Sequence, residues 1–169
     1  DRIFWMLDAK PTIVNKPDAV QFKNAQADIR FNNVSFGYDA NKPPVLKGLS
    51  FIAEAGKTTA FVGASGSGKS TLFQMICRFY DPSSGSITIG GQNLFDLDLA
   101  SLRNHIGMVS QETALFNESL DYNIRYGYTS GEDSAVDLEQ ACRRANVGSF
   151  AKDLSIPAGP RGENLSGGQ

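Results

Sequence analysis

The chain has 169 residues, 41% hydrophobic and 20% charged, enough for one domain with a proper core and an attached lobe. Its formal net charge of −2, without a long run of one sign, speaks against a nucleic-acid-coating surface, which carries a basic stripe. Cys77 and Cys142 are too few for a disulfide framework or a zinc cluster, and no apolar run approaches the about 18 residues of a membrane span.

Arg2 to Leu7 reads as the end of an amphipathic helix, with Ile3, Phe4 and Leu7 on one side. Asp8 to Asn24, punctuated by Pro11 and Pro17, reads as extended linker, so residues 1–24 are set apart from a folded region at 25–169. Asp28 to Tyr38 alternates at Ile29 and Phe31 and again at Val34 and Phe36, which predicts a strand with a bulge at Asn32-Asn33. Beyond Pro43-Pro44, Leu49, Phe51 and Ala53 predict a second strand. Glu54 to Lys57 turns into Thr58–Val62, an apolar run of buried-strand character.

That run leads into GASGSGKST, Gly63 to Thr71, which satisfies G-x-x-x-x-G-K-[ST]. Leu72, Ile76 and Phe79 follow at helical spacing, and strand, glycine-rich loop and helix is the context of a phosphate site. Glycines let the backbone N–H groups of Gly63, Ala64, Ser65, Gly66, Ser67 and Gly68 turn inward as a nest for phosphate oxygens. The helix start adds further donors and the positive end of its dipole. Lys69 is placed to reach the β- and γ-phosphates as a point charge, Ser70 to offer a hydroxyl to Mg²⁺, and Thr71 to add a hydroxyl near the α-phosphate. Binding of a nucleoside triphosphate with Mg²⁺ is the expectation.

Downstream, Asp81 to Gly85 is a turn and Ser86 to Ile89 a short strand closed by Gly90-Gly91. Ser101-Leu102-Arg103 starts a short helical segment, and Ile106 to Val109 predicts a strand ending on Ser110-Gln111. Ser119 reads as the N-cap of a segment carrying Leu120 and Ile124, and Val136, Cys142 and Ala145 keep helical register. Residues 25–111 thus form a core with a β-lobe, and residues 112–169 a mostly helical lobe. The closing LSGGQ, Leu165 to Gln169, is a second anion-reading element: Ser166 is a good N-cap, and Gly167-Gly168 bring backbone N–H groups close to an anion. His105, the single histidine, reads as a surface or partly packed residue.

GASGSGKST, a strand-end Gln111 and LSGGQ, in that order, resemble the nucleotide-binding domain of ATP-binding cassette (ABC) transporters, from Asp28 onward. The resemblance implies an α/β fold: a P-loop NTPase core with an antiparallel β-lobe and a helical signature lobe. It implies that Tyr38 stacks on adenine and that Gln111 contacts Mg²⁺ and senses the membrane domain. It implies that Ser166, Gly167 and Gly168 close on ATP held by the opposite subunit of a head-to-tail dimer. Lys69 and Gln111 become the catalytic candidates, and Ser70 and Gln111 the metal ligands. RIFWMLDAKPTI resembles the exporter linker that joins the last transmembrane helix to the cassette, and LFNESLDYNIRYG the exporter helical-lobe entry. Among exporters the wording is most similar to half-transporters of the mitochondrial metal and iron–sulfur type.

Two departures stand out. Ser155 to Gly162 is shorter than the exporter stretch, with Pro160 in the place of a glutamate, although Arg161-Gly162 keep their place. The family's Walker B Asp and Glu and its switch His follow LSGGQ, so the 169 residues read as an incomplete cassette that binds nucleotide poorly and does not turn it over by itself. The expected whole is an ABC-type ATPase powering export, membrane-associated, with its cassette on the cytosolic or matrix side. Its partners would be a second cassette and a transmembrane domain of the same or a partner chain, with no nucleic acid. The rival class is a soluble ABC-type ATPase acting on nucleic acid or ribosomes.

Overall fold

The computed structural model describes residues 4, 7–23, 27–110, 114–127 and 135–166. By internal contacts the chain divides into two compact units, Asp1–Met108 and Val109–Gln169.

The first unit is built on strands β1 (Ile29–Phe36), β2 (Leu46–Ala53), β3 (Ser84–Ile89) and β4 (Gln92–Asn93), in the order β2-β1-β3-β4. All three pairings are antiparallel. Phe31 of β1 stands opposite Phe51 on one side and Ile87 on the other, which fixes the apolar face. Inward residues then step from Phe31 to Val34 and Phe36, out of strict alternation, and the ladder shifts register there. The extra residue is absorbed at Asn32-Asn33, with Asn33 at φ 49°, so the bulge is where the broken alternation placed it. Gly85 answers it from β3: a Cβ there would fall 2.3 Å from the Asn33 carbonyl oxygen.

Helix α1 (Lys69–Ile76) lays Leu72 and Met75 on this sheet, where Met75 is fully buried beside Phe31, Val34 and Ile87 in one core cluster. The helix ends in a left-handed cap. Arg78 (φ 51°) donates its backbone N–H to the Met75 carbonyl at 3.0 Å, and Phe79 N–H reaches back to Gln74 O at 2.8 Å. Glycine is the usual residue in that conformation; here the guanidinium holds the arginine in place. It is 1% exposed and donates to Asp81 (3.0 Å) and to the carbonyls of Leu97 (3.2 Å) and Val14 (3.3 Å). Burial pushes the neighbouring Cys77 thiol above its ordinary range, as befits a buried small hydrophobe.

Residues 14–22 are stitched to the first unit. Val20 pairs in parallel with Leu97 through Val20 N–H to Asp96 O (2.9 Å) and Asp98 N–H to Val20 O (2.8 Å). Phe22 N–H donates to Ser101 Oγ at 2.8 Å, and Lys16 pairs with Asp96 while lying over the Phe95 ring. A further short helix, α2 (Leu99–Arg103), starts two residues before the expected Ser101, because Asp98 caps it by accepting from Ser101 N–H at 2.8 Å. His105 is exposed, its ring edge-on to Phe22.

Two predicted strands do not form as strands. Thr58–Val62 and Ile106–Val109 enter no ladder among the described residues, and Val62 and Val109 are 92% and 98% exposed. An apolar run signals a tendency to be buried, whereas a strand requires a neighbour to pair with, and the four described strands pair only with one another.

The second unit holds α3 (Leu120–Arg125), α4 (Ala135–Arg144) and short helical turns at Val147–Ser149 and Pro160–Gly162. Ser119 caps α3, as its sequence position predicts, by accepting from Tyr122 N–H at 3.1 Å. Leu120, Val147, Ala151 and Ala158 make its own small core. No helix among the described residues is long and apolar enough to cross a membrane.

Candidate functional site

The approach to the phosphate loop is pinned from the sheet. Ala55 N–H donates to Asp28 Oδ1 at 2.9 Å, and this bond, followed by Arg30, holds the Asp28 carboxyl below the usual carboxylate range. The turn before Thr58 is therefore tied to the start of β1.

The loop itself needs its glycines for two separate reasons. Gly68, the N-cap of α1, sits at φ 91°, and a Cβ there would come within 2.9 Å of Leu46 Cδ2. A Cβ on Gly63 would fall 2.8 Å from Ser67 Oγ, inside the curve of the loop. Gly66 (φ 78°) faces open space, so nothing blocks the loop from outside. Backbone concavity, an open approach and a following eight-residue helix form a cradle that fits a chain of phosphates.

Lys69 extends back across this cradle. Its ammonium donates to the carbonyls of Gly63 (2.8 Å) and Ala64 (2.7 Å) and lies 3.4 Å from Ser67 Oγ. The charge is thereby held over the loop. Ser70 is exposed in the first helical turn, and its hydroxyl is an oxygen donor of the kind Mg²⁺ accepts beside phosphate and water. No cluster of three or more His, Cys, Asp or Glu side chains suited to a metal exists among the described residues, so Ser70 fits Mg²⁺ as one ligand and not as a protein cage. Behind the loop, a cavity of about 330 Å³ is lined by Val45, Leu49, Phe61, Ser67, Lys69 and Leu72.

Tyr38, two residues past β1, stands over the same helix. Its hydroxyl lies 2.9 Å from Thr71 Oγ1 and donates to Gln74 Oε1 at 2.7 Å, while its ring meets Phe36 and Tyr80 edge-on at 4.9 and 5.1 Å. More than half of it remains exposed. Gln74 was not singled out in the sequence. Its helical register with Thr71 would have placed it on the same face, but nothing in the sequence links it to Tyr38.

The structure thus brings Tyr38, Gly63 to Gly68, Lys69, Ser70 and Thr71 together in the first unit. Ser166 is exposed in the second unit. Gln111, Gly167 and Gly168 lie outside the described residues.

Comparison with known proteins follows this geometry. Residues 46–169 match the family described as ABC transporter. The heavy metal tolerance protein of Schizosaccharomyces pombe is 40% identical over 100% of this chain and 20% of its own length. The beta-(1-->2)glucan export ATP-binding/permease protein NdvA of Nitrobacter winogradskyi is 43% identical over 98% of this chain and 27% of its own. A solved structure of a bacterial Atm1-family ABC exporter with ATP bound superposes with a TM-score of 0.89 at 36% identity, covering 99% of this chain and 30% of that one. The chain therefore spans between a fifth and a third of these three proteins. With the family match covering most of its length and these relatives at least 36% identical over nearly all of it, the chain belongs to the ABC transporter family, as a nucleotide-binding cassette.

Proposed function

We propose that this cassette binds ATP with Mg²⁺ at Gly63–Thr71, with Tyr38 stacking on adenine, and that the full-length protein couples ATP hydrolysis to export across a membrane. The observation that carries the reading is the phosphate cradle: an open glycine loop, the Lys69 ammonium held across it, and α1 pointing its N-terminus into it. The loop neutralises phosphate charge, Lys69 places a charge at the β- and γ-phosphates, and Ser70 shares Mg²⁺, which when bound offsets charge on the transferred phosphoryl. Gln111 would contact that metal and report to the membrane domain.

In the proposed assembly two cassettes pair head to tail. Ser166, Gly167 and Gly168 of each close on the ATP held by the other's loop, and closure biases a transmembrane domain of the same or a partner chain between two states. The cassette lies on the cytosolic or matrix face. The similarity to a glucan export ATP-binding/permease protein and to a bacterial Atm1-family ABC exporter supports this direction of transport.

Calorimetric titration tests the nucleotide reading. MgATP is expected to bind at least about tenfold more tightly than AMP, since the loop reads phosphates that AMP lacks. Equal affinities would overturn the assignment. We further propose that residues 1–169 alone do not turn ATP over, because the family draws its metal-holding Asp and water-polarising Glu from beyond the signature. Phosphate release by a chain ending at Gln169, compared with one extended downstream, checks this. Cassette-like turnover by the shorter chain, abolished by Lys69→Ala, would refute it.

A further inference from the structure

Tyr38 is held in a way that stacking alone does not require. Its phenol donates to Gln74 Oε1 at 2.7 Å and shares a 2.9 Å hydrogen bond with Thr71 Oγ1, and Phe36 and Tyr80 press on the ring edge-on. Both hydroxyl partners are on α1, the helix whose first residues are Lys69 and Ser70. Thr71 is 4% exposed, and Gln74 is half-buried. Gln74 lies five positions after Lys69, about 7.5 Å further along the helix axis. The helix therefore carries the phosphate-binding groups at one end and, a turn and a half later, the acceptor for the aromatic ring.

We propose that Gln74 is a positioning residue for nucleotide recognition. It locks the Tyr38 ring to α1, so that the distance and tilt between the base platform and the phosphate loop are set by one rigid helix. Without this tie, Tyr38 keeps only the Thr71 bond and the edge-on contacts of Phe36 and Tyr80, and more of its ordering falls to the moment a base arrives. Ordering such a side chain costs binding free energy that a pre-anchored ring has already spent in folding. This inference rests on Tyr38 being the adenine platform.

The test is calorimetry on the protein with two probes, MgATP and inorganic tripolyphosphate, which has no base to stack. Gln74→Leu is expected to raise the Kd for ATP about threefold to tenfold, the effect of one hydrogen bond, and Tyr38→Phe, which removes the bonds to both Gln74 and Thr71, at least as much. The double variant is expected to be no weaker than Tyr38→Phe alone, because removing the phenol already breaks the bond to Gln74. Tyr38→Ala is expected to be weaker than all three. In Gln74→Leu, tripolyphosphate is expected to bind within about twofold of the unaltered protein, given the separation of Gln74 from Lys69 along α1. Melting temperatures establish that each variant is folded, and Tyr38→Phe tests the tie without touching the helix.

If Tyr38→Ala binds ATP normally, the platform reading itself fails. If Tyr38→Ala is impaired while Gln74→Leu and Tyr38→Phe are normal, or if those two effects add, the platform stands and the positioning role of Gln74 is overturned. A parallel loss of tripolyphosphate binding in Gln74→Leu also overturns it, because the residue would then be acting on the phosphate loop.

Discussion

Replacing Lys69 with alanine is expected to weaken MgATP binding by roughly ten- to a hundredfold, the effect of losing a hydrogen bond from a charged donor to phosphate. Binding is not expected to vanish, since the loop N–H groups and the N-terminus of α1 remain. Stability should hardly change. Among the described residues the Lys69 ammonium bonds to Gly63 O, Ala64 O and Ser67 Oγ, all on exposed residues that water can satisfy instead. A normal melt with a large loss in calorimetric affinity is therefore the expected pair of results. Affinity within about twofold of the unaltered protein would remove Lys69 from the site.

The second large effect is structural. Arg78→Met is expected to lower unfolding free energy by about 3 kcal/mol, as removal of one partner from a buried charged network does. The Asp81 side chain is 28% exposed and would regain some water, but the carbonyls of Leu97 and Val14 would lose their donors. The left-handed backbone at residue 78 would remain, at a cost of about 1–2 kcal/mol that the guanidinium now offsets. Urea denaturation measures the change. A midpoint unchanged from that of the unaltered protein would mean that the buried arginine contributes nothing net. The phosphate loop lies at the other end of α1, so ATP affinity of the folded variant should fall much less than in Lys69→Ala.

These two residues also show what could be read in advance. Lys69 sits in a motif whose chemistry depends on backbone shape and one charge, and spacing alone conveys both. The bulge at Asn32-Asn33 was legible because a break in alternation is itself a sequence signal. The Ser119 cap was legible because capping is local. Arg78 carried no such signal: its burial depends on Val14 and Leu97, remote in sequence, meeting around the end of α1. Gln74 was silent for the same reason, its partner Tyr38 coming from the loop after β1. Thr58–Val62 and Ile106–Val109 mark the opposite failure. Their composition was read as strand, but composition cannot supply the neighbour that a ladder needs.

The stitched segment at residues 14–22 bears on the order in which the chain assembles. Its hydrogen bonds to Asp96, Asp98 and Ser101 span about 80 positions in sequence, among the longest closures in the first unit. On a ribosome adding about 5–20 residues per second, roughly 4–16 seconds separate its emergence from that of the residues it docks on. A segment synthesised early in this unit thus waits for partners made much later. Until Asp96, Asp98 and Ser101 are positioned, Val20 and Phe22 lack the partners they bond in the folded chain. Closing a loop of about 80 residues costs more entropy than forming the local turns of α1, so docking of this segment is expected to follow formation of the phosphate-binding end of the helix.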